Sequence, residues 1–156
     1  MEIERKFLIS ELPFEELQGA KPTNLMQGYL VLGENSELRI RKASTRHFLT
    51  SKSGSGLVRE ENEEEISKQA FDIMWPFTEN RRVEKLRFTF AYQGYQCEID
   101  IYSGSLADLM VLEVEFSSEE DARAFTPPTF CSREITSDQR FKNATLAKLG
   151  VPRENR

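Results

Sequence analysis

Histidine and cysteine are nearly missing from this sequence. A single histidine, His47, among 156 residues removes the Ser-His-Asp and Cys-His constellations and every multi-histidine metal site. The two cysteines, Cys97 and Cys131, stand far apart with no CxxC spacing, so reduced thiols are expected rather than a disulfide or a zinc site. No apolar run approaches the length needed to span a bilayer. Met1 leads into Glu2 with no basic segment and apolar run after it, so no signal peptide is expected and the cytoplasm is the expected compartment. Repeats, low-complexity tracts and linker-like stretches are absent too, and one domain over 1–156 suffices. Any catalysis therefore falls to carboxylates, Lys, Arg, Tyr or a metal.

What the chain has in abundance is charge: 30% of residues are Asp, Glu, Lys or Arg, beside 38% hydrophobic, a soluble globular balance. The net charge of -5 argues against nonspecific nucleic-acid binding. No nucleic-acid or membrane partner is expected.

Period-two alternation dominates the first two thirds of the chain. It predicts strands over 2–9, 24–32, 37–42, 46–53 and 57–66, broken at Pro13, at 19–22, at the turn 33–36 and at the loop 53–56. A short helical turn is expected near 14–18. Ser67 is a good N-cap for a helix over 68–75, which Pro76 closes. Further strands are expected over 81–92 and 95–102, joined by a hairpin at Gln93-Gly94, and over 109–117. Glu119, Glu120 and Asp121 favour the first turn of a helix running to about Phe125. Pro127-Pro128 then forces an extended stretch, and a last helix covers about 143–149. Eight antiparallel strands, mostly joined by hairpins, predict a mainly β (α+β) fold: a barrel with helices packed outside.

Alternation also sorts the charges. Glu2, Glu4 and Lys6 share one face of the first strand, opposite Ile3, Arg5 and Phe7. Arg39 and Arg41 share a face, as do Arg59, Glu61 and Glu63, then Lys85 and Arg87, Glu98 and Asp100, and Glu113 and Glu115. For one strand alone the ordinary explanation is a solvated outer face. Applied to all of them, it would leave the amphipathic helices near Phe71, Met74, Trp75 and Phe125 with little to pack on. Apolar faces under the helices and charged faces turned inward satisfy both. A charged lumen must be solvated and paired, because an unpaired buried ion costs on the order of several kcal/mol. Acids opposite bases suit a polyanion escorted by a divalent cation, with Arg and Lys on phosphate oxygens and carboxylates on a hard metal such as Mg²⁺ or Mn²⁺.

The same residues carry a resemblance. Glu2-Ile3-Glu4-Arg5-Lys6 matches the ExExK signature of the CYTH, or triphosphate tunnel metalloenzyme, superfamily. The match continues in order through Gln27-Gly28-Tyr29-Leu30, Leu38-Arg39-Ile40-Arg41, Lys52, and Arg59 with Glu61 and Glu63. It then runs through Arg82-Val83-Glu84-Lys85-Leu86-Arg87, Glu98-Ile99-Asp100, Glu113-Val114-Glu115, and Arg133-Glu134-Ile135-Thr136 with Asn143. The short form with Trp75-Pro76 and Arg81-Arg82-Val83-Glu84-Lys85 looks most like the bacterial inorganic triphosphatase (tripolyphosphatase) branch.

This resemblance implies an eight-stranded antiparallel tunnel that binds a triphosphate together with Mg²⁺ or Mn²⁺. On that basis Glu2, Glu4, Glu113 and Glu115 are the metal ligands. Glu63 and Glu98 are further metal candidates, with salt-bridging as the alternative. Lys6, Arg39, Arg41, Lys52, Arg59, Lys85 and Arg87 form the phosphate-binding set, and Arg133 joins it where the superfamily often has Lys. Tyr29, with Lys6, is the catalytic candidate, either as proton acceptor from the attacking water or as a hydrogen-bonding contact for the substrate. The implied activity is metal-dependent hydrolysis of tripolyphosphate to pyrophosphate and phosphate. Thiamine or nucleoside triphosphatase, class IV adenylyl cyclase and a non-catalytic polyphosphate-binding module are the alternatives. The partner is a triphosphate-containing small molecule, and a homodimer through an outer face is compatible with the sequence.

Overall fold

The computed structural model describes residues 3–54 and 60–153, and among these residues there are nine strands, three α-helices and three short 3-10 turns. The order is β1 (Ile3–Ile9), β2 (Thr23–Leu32), β3 (Ser36–Ala43), β4 (Arg46–Ser53), β5 (Glu60–Ile66) and α1 (Lys68–Met74), which runs into a 3-10 turn at Trp75–Thr78. Then come β6 (Arg82–Tyr92), β7 (Tyr95–Tyr102), β8 (Met110–Phe116), α2 (Glu119–Ala124), β9 (Cys131–Glu134) and α3 (Asn143–Leu149). The strands join in one sheet in the order β5-β4-β3-β2-β6-β7-β8-β1-β9.

The mainly β, α+β class is as expected, with two differences. A ninth strand, β9, pairs with β1, and the order begins at β5 and ends at β9, so the ladder of the described residues is not strictly closed. The stretch near 14–18 is a series of turns rather than a helix. The predicted N-cap is present: Ser67 Oγ accepts from Ala70 N at 3.0 Å. In the β6–β7 hairpin Gln93 and Gly94 both take positive φ, 52° and 81°, the twist that a two-residue loop between right-twisted strands requires.

The chain groups into two compact units. The first comprises 1–23 and 86–139, the second 24–85 and 140–156, and β6 runs from one into the other.

In the first unit β1, β7 and β8 turn Phe7, Ile9, Cys97, Ile99, Leu112, Val114 and Phe116 to one side, where they meet Ala122, Phe125 and Phe130. Phe116 and Phe125 pack edge-on with centroids 5.4 Å apart. Arg5 sits on this apolar side and makes four side-chain hydrogen bonds. It donates to the carbonyls of Ala122 and Phe125 at 2.8 and 2.9 Å and grips Glu134 of β9 at 2.7 and 2.9 Å. The arginine thereby ties α2 and β9 to β1.

In the second unit α1 packs on β3 and β4. Phe71 lies 5.0 Å from the ring of His47 and stacks on Trp75 at 5.1 Å. Arg82 covers Trp75 from 4.3 Å, a cation–π contact. Thr78, which is 0% exposed, wedges against Gly28, where an added Cβ would meet its Cβ and Oγ1 at 2.5 Å. Only glycine fits that close approach.

Candidate active site

Register places the charges. In the first unit Glu4 lies opposite Glu115, Lys6 opposite Glu113, and Glu98 opposite Glu113. Directly opposed residues in an antiparallel pair share a face, so these side chains converge on the side away from α2 and the apolar core. Oxygens of Glu98, Glu113 and Glu115 lie within 4.8 Å of one another. Lys6 Nζ stands between Glu4 and Glu113, at 3.8 and 3.9 Å. Its backbone is held from the other side of β1: Lys6 N–H donates to Thr136 Oγ1 at 3.0 Å, and Lys6 O accepts from Ile135 N at 2.8 Å.

Arg87 does not extend freely toward a ligand. Its Nε and Nη2 bind Asp100 at 2.7 and 2.9 Å, and Nη1 reaches Glu98 at 3.2 Å. Burial opposes its charge, but the Asp100 hydrogen bond and the charges of Asp100 and Glu98 outweigh it and hold the guanidinium firmly protonated. Burial pushes the Glu98 carboxyl above its ordinary range; Arg87 pulls it down and Glu113 pushes it further up. Three carboxylates this close repel one another unless a cation sits among them. Hard oxygen donors in this number fit a divalent ion of the Mg²⁺ or Mn²⁺ kind, which keeps part of its water. Arg133, on β9 opposite Leu8, is paired with Asp138 at 3.2 Å.

In the second unit a continuous face runs across four strands. Gln27 lies opposite Arg41, Tyr29 opposite Arg39, Arg39 opposite Thr50, Thr50 opposite Glu63, and Lys52 opposite both Glu37 and Glu61. Ile40 and His47 belong to the other face, under α1. The polar face is not simply solvated, since Gln27, Tyr29 and Thr50 are all buried. Arg39 Nε is buried with no hydrogen-bond acceptor among the described residues, the condition of a donor awaiting an anion. Thr50 Oγ1 donates to Glu63 at 2.8 Å.

Tyr29 is 1% exposed, and Gln27 Nε2 donates to its hydroxyl at 3.2 Å. Burial raises its proton affinity; the Arg39 charge and the hydrogen bonds from Arg39 and Gln27 work against this, Glu37 works with it, and the net direction is upward. Near neutral pH Tyr29 is therefore a phenol.

Of the expected site residues, Glu4, Lys6, Glu98, Glu113 and Glu115 come together in the first unit, with Arg87 bound to their edge. Tyr29, Arg39, Arg41, Lys52 and Glu63 share the face in the second, and Lys85 is buried on β6. Glu2 and Arg59 lie outside the described residues. Gln27 and Thr50 were not anticipated, although Gln27 has the same parity as Tyr29 and stands in the same motif.

No protein-family model matches the chain. It is 46% identical to the inorganic triphosphatase of Nitrosomonas europaea over 153 residues, covering 97% of this chain and 99% of that one. With the inorganic triphosphatase of Acetivibrio thermocellus it shares 34% identity over 149 residues, 94% of this chain and 93% of the other. The crystal structure of the inorganic triphosphatase NE1496 superimposes with a TM-score of 0.82 at 42% identity, covering 95% of each chain. A Hippeastrum protein with a dominant triphosphatase activity superimposes with a TM-score of 0.56 at 18% identity, over 79% of this chain and 83% of that one. That last likeness shows the fold alone. The fold and the charged faces thus define a member of the CYTH, or triphosphate tunnel metalloenzyme, superfamily. Within it, the chain belongs to the inorganic triphosphatase family.

Proposed function

We propose that this chain hydrolyses inorganic triphosphate to pyrophosphate and phosphate with the help of a divalent cation, Mg²⁺ or Mn²⁺. The observation that carries the reading is the three-carboxylate group of Glu98, Glu113 and Glu115, in a chain that also presents Arg39, Arg41 and Lys52 on one strand face. A triphosphate chelated to a hard cation needs both kinds of group.

Glu98, Glu113 and Glu115 would hold the cation, with Glu4 beside Glu115 and Glu2 as a further ligand. When bound, the ion neutralises phosphate charge and polarises the phosphorus centre. Arg39, Arg41, Lys52, Arg59 and Lys85 hold phosphate oxygens and stabilise the charge that shifts onto the leaving pyrophosphate. Arg133 adds a charge at the β9 edge. Arg87, engaged by Asp100 and Glu98, sets the position of Glu98 rather than gripping phosphate. Lys6 bridges Glu4 and Glu113 and offers its ammonium to the substrate. Water attacks the terminal phosphorus: a phosphorus–oxygen bond forms to the water, the bridging phosphorus–oxygen bond breaks, and the water's proton passes to a phosphate oxygen of the leaving pyrophosphate. Tyr29, kept protonated by burial, donates a hydrogen bond to a phosphate oxygen. Glu63 is better occupied with Thr50 than with metal.

The test is phosphate release from tripolyphosphate, ATP and thiamine triphosphate, each with Mg²⁺, Mn²⁺ or EDTA. Release from tripolyphosphate with metal and none with EDTA is expected. Preferred release from ATP or thiamine triphosphate would replace the substrate assignment. Tight tripolyphosphate binding without release would make the chain a binding module instead.

A further inference from the structure

Gln27 has no role in the chemistry above, yet its side chain is only 2% exposed. A buried amide is tolerated where its polar atoms are used. Here the amide donates from Nε2 to Tyr29 Oη at 3.2 Å. Arg39 lies opposite Tyr29 in the β2–β3 ladder. The amide donor takes one of the two lone pairs of the phenolic oxygen, which also carries one proton of its own. With the lone pair facing Gln27 taken, that proton has to point away from Gln27.

The backbone around the pair is pinned. Between the two residues lies Gly28, backed by Thr78 with no room for a Cβ. Tyr29 N–H donates to Arg81 O at 3.0 Å. The ring and the amide therefore keep their separation.

We propose that Gln27 is a positioning residue: its amide donor occupies a lone pair of the Tyr29 hydroxyl and so turns the Tyr29 proton outward, toward an oxygen of the bound triphosphate. The identity of the acceptor rests on the triphosphatase reading; the Gln27–Tyr29 pairing does not. The charged groups bearing on Tyr29 are Arg39 and Glu37 on β3; β6, on the other side of β2, carries the buried Lys85.

The test compares Gln27→Met, which keeps the length but loses the donor, with Gln27→Glu, which replaces the donor by an acceptor. Each is made alone and with Tyr29→Phe. Loss of one such hydrogen bond predicts about a tenfold fall in kcat/KM for tripolyphosphate in Gln27→Met. Gln27→Glu falls further, because its carboxylate captures the Tyr29 proton. Neither change slows the Tyr29→Phe protein any more. A second readout needs no turnover: the tyrosinate absorbance titration, taken as the difference between the unmodified and Tyr29→Phe proteins. Without the amide donor the Tyr29 ionisation moves to higher pH. If Gln27→Met slows the Tyr29→Phe protein by the same factor as the unmodified one, or leaves the Tyr29 ionisation in place, the proposal is wrong. If Gln27→Met does not fold, Gln27→Glu carries the same comparison. Absence of phosphate release from the unmodified protein would remove the triphosphatase reading, and the absorbance titration would still decide the pairing.

Discussion

Two glycines with nearly equal contact distances should respond very differently to a methyl group. At Gly28 an added Cβ would lie 2.5 Å from Thr78 Cβ and Oγ1 and 2.8 Å from its Cγ2, so an ordinary contact requires a shift of roughly an ångström. Thr78 has nowhere to go. It is fully buried, its hydroxyl donates to Trp75 O at 2.7 Å, and Arg82 Nε donates to that hydroxyl at 2.9 Å. At Gly33 the Cβ would lie 2.7 Å from Ser36 Oγ, the end of an exposed side chain that can rotate away. Overpacking a rigid site costs about 1–3 kcal/mol. For a chain of this length that lowers Tm by roughly 2–4 °C per kcal/mol. Gly28→Ala should therefore lower Tm by roughly 2–12 °C in a thermal melt followed by circular dichroism. Gly33→Ala should stay within about 0.5 kcal/mol of the unmodified chain. The displaced strand carries Tyr29, so turnover should fall in Gly28→Ala as well. A Gly28→Ala protein that melts with the unmodified one, or a Gly33→Ala protein that loses as much, would refute the wedge.

Three other perturbations test separate parts of the structure. Asp100→Asn leaves the Arg87 guanidinium with Glu98 as its remaining carboxylate, and breaking a buried pair from one side costs about 3–5 kcal/mol. Urea unfolding should show a loss at the lower end of that range, and a loss below about 0.5 kcal/mol would mean that the pair does not hold β6 to β7. Glu134 has its proton affinity lowered from the ordinary 4.5, first by the Arg5 hydrogen bond, against burial, then with help from Thr136 and the Arg5 charge. A depressed carboxyl contributes stability above its unfolded value and loses it as pH falls through the folded one. The Tm advantage over Glu134→Gln should thus be full above about pH 5 and shrink below 4.5; an advantage that grows with acid would reverse the sign. It should be small, because Glu134 is substantially exposed. Finally, burial pushes Cys97 and Cys131 up to about 11, so both thiols should react slowly with a disulfide reagent near pH 8 and quickly after unfolding in urea. Rapid labelling of the folded protein would contradict that burial.

Strand alternation, helix caps and the division of charged from apolar faces were legible in the sequence because they depend on local geometry. Successive Cβ atoms in a strand point to opposite faces whatever the strand pairs with. Arg39 and Arg41 therefore had to share a face, as did Glu113 and Glu115, and the packing of α2 and α1 on the opposite faces bears out which side is apolar. Ser67 and Ser118 cap their helices through their own neighbours. The ninth strand was not legible. It is four residues long, follows two prolines and lacks an apolar alternation; Arg5, from the far end of the chain, supplies the partner for its Glu134.

Which charge neutralises which was likewise beyond the sequence. Nothing in the order of residues shows that Arg87 is taken by Asp100, or that Lys6 stands among carboxylates rather than alone. Tyr29 had two readings, and its burial, which raises the phenol's proton affinity, came from the fold rather than from the motif. The sequence by itself determined the inventory of charges and the face each one takes. Only the tertiary structure decided their partners, because cross-strand register and burial are long-range properties that no run of neighbouring residues contains.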